Sequence, residues 1–156
     1  MQVSRNILMP FHRGVVLSEA ISVLLPVTTA HAALGGTLAG IAGTPPVPIL
    51  NGAVERLTSV DAGGTTINAY ASNTGQIFAY TWQGPTVPDL PALLGPYYAS
   101  YRAGAAAALA ASHDLHDSRV VQPDVIVESG GQMRSYVGRT WLPGALPAGV
   151  TPDDLP

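Results

Sequence analysis

The chain has 156 residues, the length of one ordinary domain, with 47% hydrophobic and only 11% charged residues. Seven arginines, no lysine and ten acids give a formal charge of −3, and with no basic run this argues against nucleic acid and anionic membrane surfaces as partners. The absence of cysteine excludes disulfides, thiol nucleophiles and thiolate metal sites.

The first thirty-odd residues differ from the rest. Arg5, His12 and Arg13 make a basic start, "AISVLLPV" (Ala20–Val27) is a short apolar core, and Ala30-His31-Ala32 fits the small-x-small cleavage pattern. Together they read as a secretory signal peptide over residues 1–32, cut after Ala32; the apolar core is too short to span a bilayer. A buried N-terminal helix or a retained anchor is the alternative. After cleavage, five arginines face nine acids, a formal charge of −4. The mature chain is then not an integral membrane protein.

Residues 33–52 are rich in Gly, Pro and Ala without a period of 2 or 3.6, which reads as an extended arm partly laid on the domain. A single α+β domain is expected over 53–142. Ala53–Asp61 is a first strand and Thr65–Ser72 a second. Asn73-Thr74-Gly75 is a three-residue hairpin turn, and Gln76–Gln83 is a third strand. This turn predicts Ser72 opposite Gln76, Tyr70 opposite Phe78 and Asn68 opposite Tyr80. One face would then be small and apolar (Ile67, Ala69, Ala71, Ile77, Ala79). The other would gather Tyr70, Phe78, Tyr80 and Trp82.

Leucines and tyrosines at helical spacing follow, with Asp89 as N-cap and Pro96 forbidding one straight helix. The pattern predicts a short turn at 89–94 and a helix from about Pro96 to Ala111. Val120–Glu128 and Met133–Leu142 are the last strands, with Pro123 marking an edge or an interruption. Residues 143–156 read as a coil tail. The expected fold is therefore α+β: an antiparallel five-stranded sheet (three strands, helix, two strands) with one helix across a face.

Ser129-Gly130-Gly131 followed by Arg134 resembles a phosphate loop, but the following residues alternate like a strand rather than opening a helix. A three-residue turn at Gly130–Gln132 pairs Ser129 with Met133 and Glu128 with Arg134, so a hairpin is the better reading. His113 and His116, with Asp114 and Asp117, are weak metal candidates where the helix should end. No third remote ligand is indicated, so neither a metal nor another cofactor is assigned. No Gly-x-Ser-x-Gly elbow exists, and no spacing brings two carboxylates together.

Several stretches resemble the bacterial exported family catalogued as domain of unknown function 2844: "ALGG", "IFAYTWQGPTVPDLPALLG" (Ile77–Gly95), "VIVESGGQMRSYVGRTWLP" (Val125–Pro143) and "LPAGV" (Leu146–Val150). The resemblance implies export in a Gram-negative bacterium and brings no assigned reaction, ligand or catalytic residue. The expectation is a periplasmic or secreted, non-catalytic binding or assembly module of the cell envelope. Its partner would be an envelope component or a small ligand. The candidate ligand-binding residues are Tyr70, Phe78, Tyr80 and Trp82, with Arg134 or Arg139 at the margin; the plain alternative is that the aromatics form a second small core. The rival expectation is a small periplasmic hydrolase or metal-dependent enzyme centred on His113–Asp117.

Overall fold

The computed structural model describes residues 32–38, 45–111 and 117–156. The expected signal peptide up to residue 31, and His113, Asp114 and His116, lie outside the described residues. The described chain is α+β, an antiparallel sheet with helices between its fourth and fifth strands. The sheet has seven strands rather than the expected five: β1 (Val47–Ile49), β2 (Val54–Val60), β3 (Thr66–Ser72), β4 (Ile77–Gly84), β5 (Asp117–Val121), β6 (Ile126–Gln132) and β7 (Ser135–Trp141). Their spatial order is β1-β2-β3-β4-β7-β6-β5.

The two additional strands have identifiable causes. β1 lies within the segment expected to be a loose arm, where three extended residues add an edge to β2. β5 arises because the expected strand Val120–Glu128 folds back on itself at Pro123. Proline offers no N–H to a ladder and suits a tight turn. The turn closes with the Gln122 N–H donating to the Val125 carbonyl at 2.9 Å, and β5 pairs with β6.

The Asn73–Gly75 turn forms as the sequence implies, with Gly75 at φ 81° and Ser72 N bonding Gln76 O at 2.9 Å. Ala71 faces Ile77, but the next pair is Tyr70 with Ala79. Phe78 is the extra residue of a β-bulge, and everything beyond it is displaced by one position. The expected pairs Tyr70–Phe78 and Asn68–Tyr80 are therefore corrected to Tyr70–Ala79 and Asn68–Thr81.

The last hairpin also has a different register. Its turn residues are Met133 and Arg134, both in the left-handed region (φ 51° and 67°), and Gln132 pairs with Ser135. A two-residue turn of this hand matches the twist of the strands. Glu128 consequently lies opposite Arg139, not Arg134. Gly131 makes the turn possible, since a Cβ there would sit 2.1 Å from the Ser135 carbonyl oxygen.

Each sheet face has its own core. On one face lie Leu57, Ile67, Ala69, Ile77, Tyr80, Trp82, Val127 and Leu142. Helix α1 (Leu90–Leu94), capped by the Asp89 carboxylate accepting from Ala92 N at 3.1 Å, lays Leu93 and Leu94 on it. The Ala32–Leu38 segment adds Leu34 and Leu38, tied by Gly35 N to Ile77 O at 2.9 Å and Ile77 N to Gly36 O at 2.8 Å. After a 3₁₀ turn at Gly95–Tyr97, α2 (Tyr98–Ala111) buries no residue of its own and runs beside β5. There Gly104 allows close approach to Val120 and Gln122. No helix among the described residues is long and apolar enough to cross a membrane.

On the opposite face Val54, Tyr70, Phe78, Ala79 and Trp141 are covered by Val150, Leu146 and Leu155 of the final segment. That segment, residues 143–156, is a strap rather than a free coil.

Gly138 lies directly opposite Trp82, and a Cβ there would meet Trp82 Cζ2 at 2.2 Å. Gly138→Ala is expected to cost about 1–3 kcal/mol through overpacking. Gly144→Ala, with nothing within 4 Å, should stay within about 0.5 kcal/mol of wild type. Urea denaturation followed by circular dichroism measures both; equal stabilities would show that the indole does not need the glycine.

Candidate functional site: an open groove on the strap-bearing face

The four aromatics expected to share a platform are divided by the bulge. Tyr70 and Phe78 lie on the strap-bearing face, and Tyr80 and Trp82 lie on the helix-bearing face. All four are at most 2% exposed. The Tyr70 hydroxyl donates to the Pro156 carbonyl and meets Thr81 Oγ1 at 3.1 Å, while the Tyr80 hydroxyl donates to the Ala32 carbonyl. Arg134 sits exposed in the hairpin turn, away from them. Of the sequence-derived candidates, Arg139 and Trp82 both contribute to the lining of an open groove, Trp82 with its side chain packed into the opposite core.

Side chains cross the strap-bearing face in three rungs, because alternate residues of each strand share it. The third rung, beneath the strap, runs Arg56, Tyr70, Ala79, Trp141 and Ile126. The second is polar: Thr58, Asn68, Thr81, Arg139, Glu128 and Arg119. The first, farthest from the strap, runs Val60, Thr66, Gln83, Val137, Gly130 and Asp117.

The second rung is bonded to itself. Thr58 Oγ1 donates to Asn68 Oδ1 at 2.7 Å, and Asn68 Nδ2 to Thr81 Oγ1 at 3.1 Å. Arg139 Nε donates to Glu128 Oε2 at 2.5 Å, and Arg119 Nε lies 3.0 Å from Glu128 Oε1. The Arg139 guanidinium also stacks 5.3 Å from the centre of the Trp141 ring. It reaches into the strap as well, donating to Pro152 O at 3.2 Å and Asp153 Oδ1 at 2.8 Å. These carboxylates raise its pKa further above an arginine's ordinary value, Asp153 contributing most. The strap is shaped locally by Thr151 and Asp154, which cap one another and hold the Asp154 carboxyl below its usual range.

Over the first and second rungs lies a groove of about 730 Å³, within the usual size range of small-molecule sites. Its floor includes Thr66, Asn68, Thr81, Gln83 and Val137. Leu155 and Pro156 of the strap also line it, together with Ser129–Gly131 of β6. Among the described residues no nucleophile–base pair lines it, and all four histidines of the chain lie outside the described residues. Among the described residues no group of three or more histidines and carboxylates could hold a metal. The arrangement can orient a ligand by hydrogen bonding and shape. Thr66, Asn68, Thr81, Gln83 and Glu128 were not singled out from sequence; the usable signal was their position as the polar member of each alternating strand.

Fold and groove together define an α+β sheet protein with a helix-covered face and a half-covered opposite face. The chain belongs to the family described as a protein of unknown function, domain of unknown function 2844, whose model matches residues 30–155. No curated protein and no solved structure matches it.

Two consequences are measurable. Arg139→Ala removes one polar anchor of the strap, leaving the Tyr70 and Thr81 ties to Pro156; the partly exposed pairs make the expected cost about 1–2 kcal/mol. The variant should bind more of a hydrophobic dye below its melting temperature as the strap lifts. A lower Tm with unchanged dye binding would mean that apolar contacts alone hold the strap.

Burial raises the pKa of the Tyr80 hydroxyl, and that of Tyr70 against the opposing effects of Thr81, Arg56 and Asn68. These hydroxyls stay neutral in the fold but ionise in the unfolded chain near the ordinary value of 10.0. Their contribution is complete below that pH and is lost as pH rises above it. Tm should therefore fall on the alkaline side of pH 10, and Tyr80→Phe should flatten that decline. An identical alkaline slope in the variant would exclude Tyr80 as its source.

Proposed function

We propose that the chain is an exported protein of the Gram-negative cell envelope, periplasmic or secreted, that acts as a non-catalytic binding or assembly module through the groove on its strap-bearing face. The observation that carries this reading is the open first rung. Val60 and Val137 are 58% and 54% exposed on either side of Thr66 and Gln83, beside a second rung whose polar groups are already engaged. Arg139 remains the margin residue, now with Glu128. Tyr70 and Phe78 form the floor under the strap, and Tyr80 and Trp82 the core of the other face.

Support for export comes from the leader pattern in residues 1–32 and from the family match, which begins at residue 30, next to the expected cut. The catalytic alternative centres on His113, Asp114 and His116, which lie outside the described residues, and on Asp117, whose backbone pairs with Gly130 at the end of the first rung.

The test uses the full chain expressed for export, recovered from the periplasmic fraction and uniformly labelled. Mass analysis should place the N-terminus at Ala33. Amide NMR spectra are then recorded with and without a solubilised envelope extract. Saturable shifts confined to Thr66, Gln83, Ser129–Gly131 and Val137 are expected. An extract that moves none of them removes the groove as a binding site, and recovery only from the cytoplasm removes the export reading.

A further inference from the structure

The chemistry of the groove selects among ligand classes. Its charged groups are spent on each other: Glu128 uses one oxygen for Arg139 and the other for Arg119, and Arg139 is further engaged by Asp153. An anionic ligand would have to compete with two carboxylates for Arg139, and a cation with two arginines for Glu128. Among the described side chains neither gains a free counter-charge there. Half-buried Glu128 and Arg139, paired in this way with exposed Arg119 and Asp153, contribute planar hydrogen-bonding edges more than net charge.

The first rung offers groups of a different kind. Thr66 Oγ and the Gln83 amide each present donor and acceptor capacity, and they stand side by side across β3 and β4. Groups that both give and accept match ligand hydroxyls, which do the same. A fully ionised phosphate or a carboxylate only accepts, and a peptide unit separates its N–H donor and C=O acceptor onto different atoms, whereas a hydroxyl gives and accepts at one. Val60 and Val137 flank the pair on the neighbouring strands, with exposed aliphatic surface at the same level. Gly130, next in the row beyond Val137, leaves the floor low over β6. Adjacent strands are ~4.8 Å apart, so the rung sets two adjacent two-way polar groups between aliphatic ends three strand spacings apart, the scale of a short oligosaccharide rather than of one ring. A pyranose presents that combination: equatorial hydroxyls at its rim and C–H surface on its faces.

We infer that the groove binds a neutral saccharide, laid across the strands with its hydroxyls on Thr66 and Gln83 and a C–H face on Val137, and extending past the groove toward Val60 on the neighbouring strand. This rests on the reading of the groove as a binding site and names its ligand class. Extended peptide is the competing class. A peptide is bound more economically along a sheet edge, where main-chain ladders form, than across a face.

The experiment titrates the full chain with three neutral tetrasaccharides, of glucose, mannose and N-acetylglucosamine, followed by amide NMR. The envelope extract is run in parallel in three forms: untreated, oxidised with periodate to destroy vicinal diols, and digested with protease. At least one tetrasaccharide is expected to shift Thr66, Gln83 and Val137 saturably. Gln83→Ala, at an exposed position that leaves the fold intact, should weaken that binding roughly tenfold. Met133→Ala, at the 93% exposed hairpin tip, should leave it unchanged. The activity of the extract should survive protease and be lost on periodate treatment. Extract activity that resists periodate, with all three tetrasaccharides silent, overturns the saccharide while leaving the groove a binding site. If neither the extract nor any tetrasaccharide moves these residues, the binding reading itself has failed and the saccharide falls with it.

Discussion

The single-residue bulge at Phe78 governs the arrangement of this molecule. The strand Gln76–Gln83 carries aromatics at 78, 80 and 82, and regular alternation would put all three on one side of the sheet. The bulge sets Phe78 and Ala79 together against Tyr70 and returns Tyr80 and Trp82 to the side of Ile67 and Ala69. Each face thereby receives large buried side chains. A sheet with two apolar faces needs two covers, and the remainder of the chain supplies them: α1 and the Ala32–Leu38 segment on one side, the strap on the other.

The two covers are built differently. The Ala32–Leu38 segment exchanges main-chain hydrogen bonds with the start of β4 and the end of α1, including Leu34 N to Leu93 O at 2.8 Å. Its small residues are obligatory: Gly35 (φ 82°) passes under the Tyr97 ring, and Ala33 seats against Gly95. The main-chain bonds of the strap are local, such as Val150 N to Pro147 O at 3.0 Å, and its recorded polar ties to the sheet run through the side chains of Arg139, Tyr70 and Thr81. One cover continues the sheet. The other is clasped onto it, and the rungs it does not reach are the ones available to something else.

How much of this could be read in advance follows from where local chemistry decides the outcome. The Asn73–Gly75 turn, the Asp89 cap and the break at Pro96 depend on a few adjacent residues, and each formed as its chemistry implies. The bulge was invisible, because nothing at Tyr70 or Phe78 is locally unusual; it answers to the need to fill both faces, a property of the whole sheet. The last hairpin was misleading for another reason. Ser129-Gly130-Gly131 looks like the turn, yet the glycines lie in β6, where Gly131 lets Ser135 and Tyr136 approach. The turn itself falls on Met133 and Arg134, residue types that seldom accept positive φ. A register shift of five residues then moved the partner of Glu128 from Arg134 to Arg139, and with it the charge pair that edges the groove.

The bulge also explains why the candidate site shifted from aromatics to neutral polar groups. Read with unbroken alternation, Asn68 belonged to the aromatic set. With the bulge in place it joins Thr58 and Thr81 in a satisfied ladder, and the unsatisfied surface moves one rung outward to Thr66 and Gln83. A face kept only for structure could end in charged or wholly polar residues at that rung, which water solvates at little cost. Instead two valines, each more than half exposed, bracket two neutral side chains of dual hydrogen-bonding capacity. Aliphatic surface left in water beside unspent polar groups is a small persistent cost to the free protein. A neutral ligand that covers the valines while meeting Thr66 and Gln83 would relieve that cost, whereas a charged one would add the desolvation of its own charge with no free counter-charge to offset it.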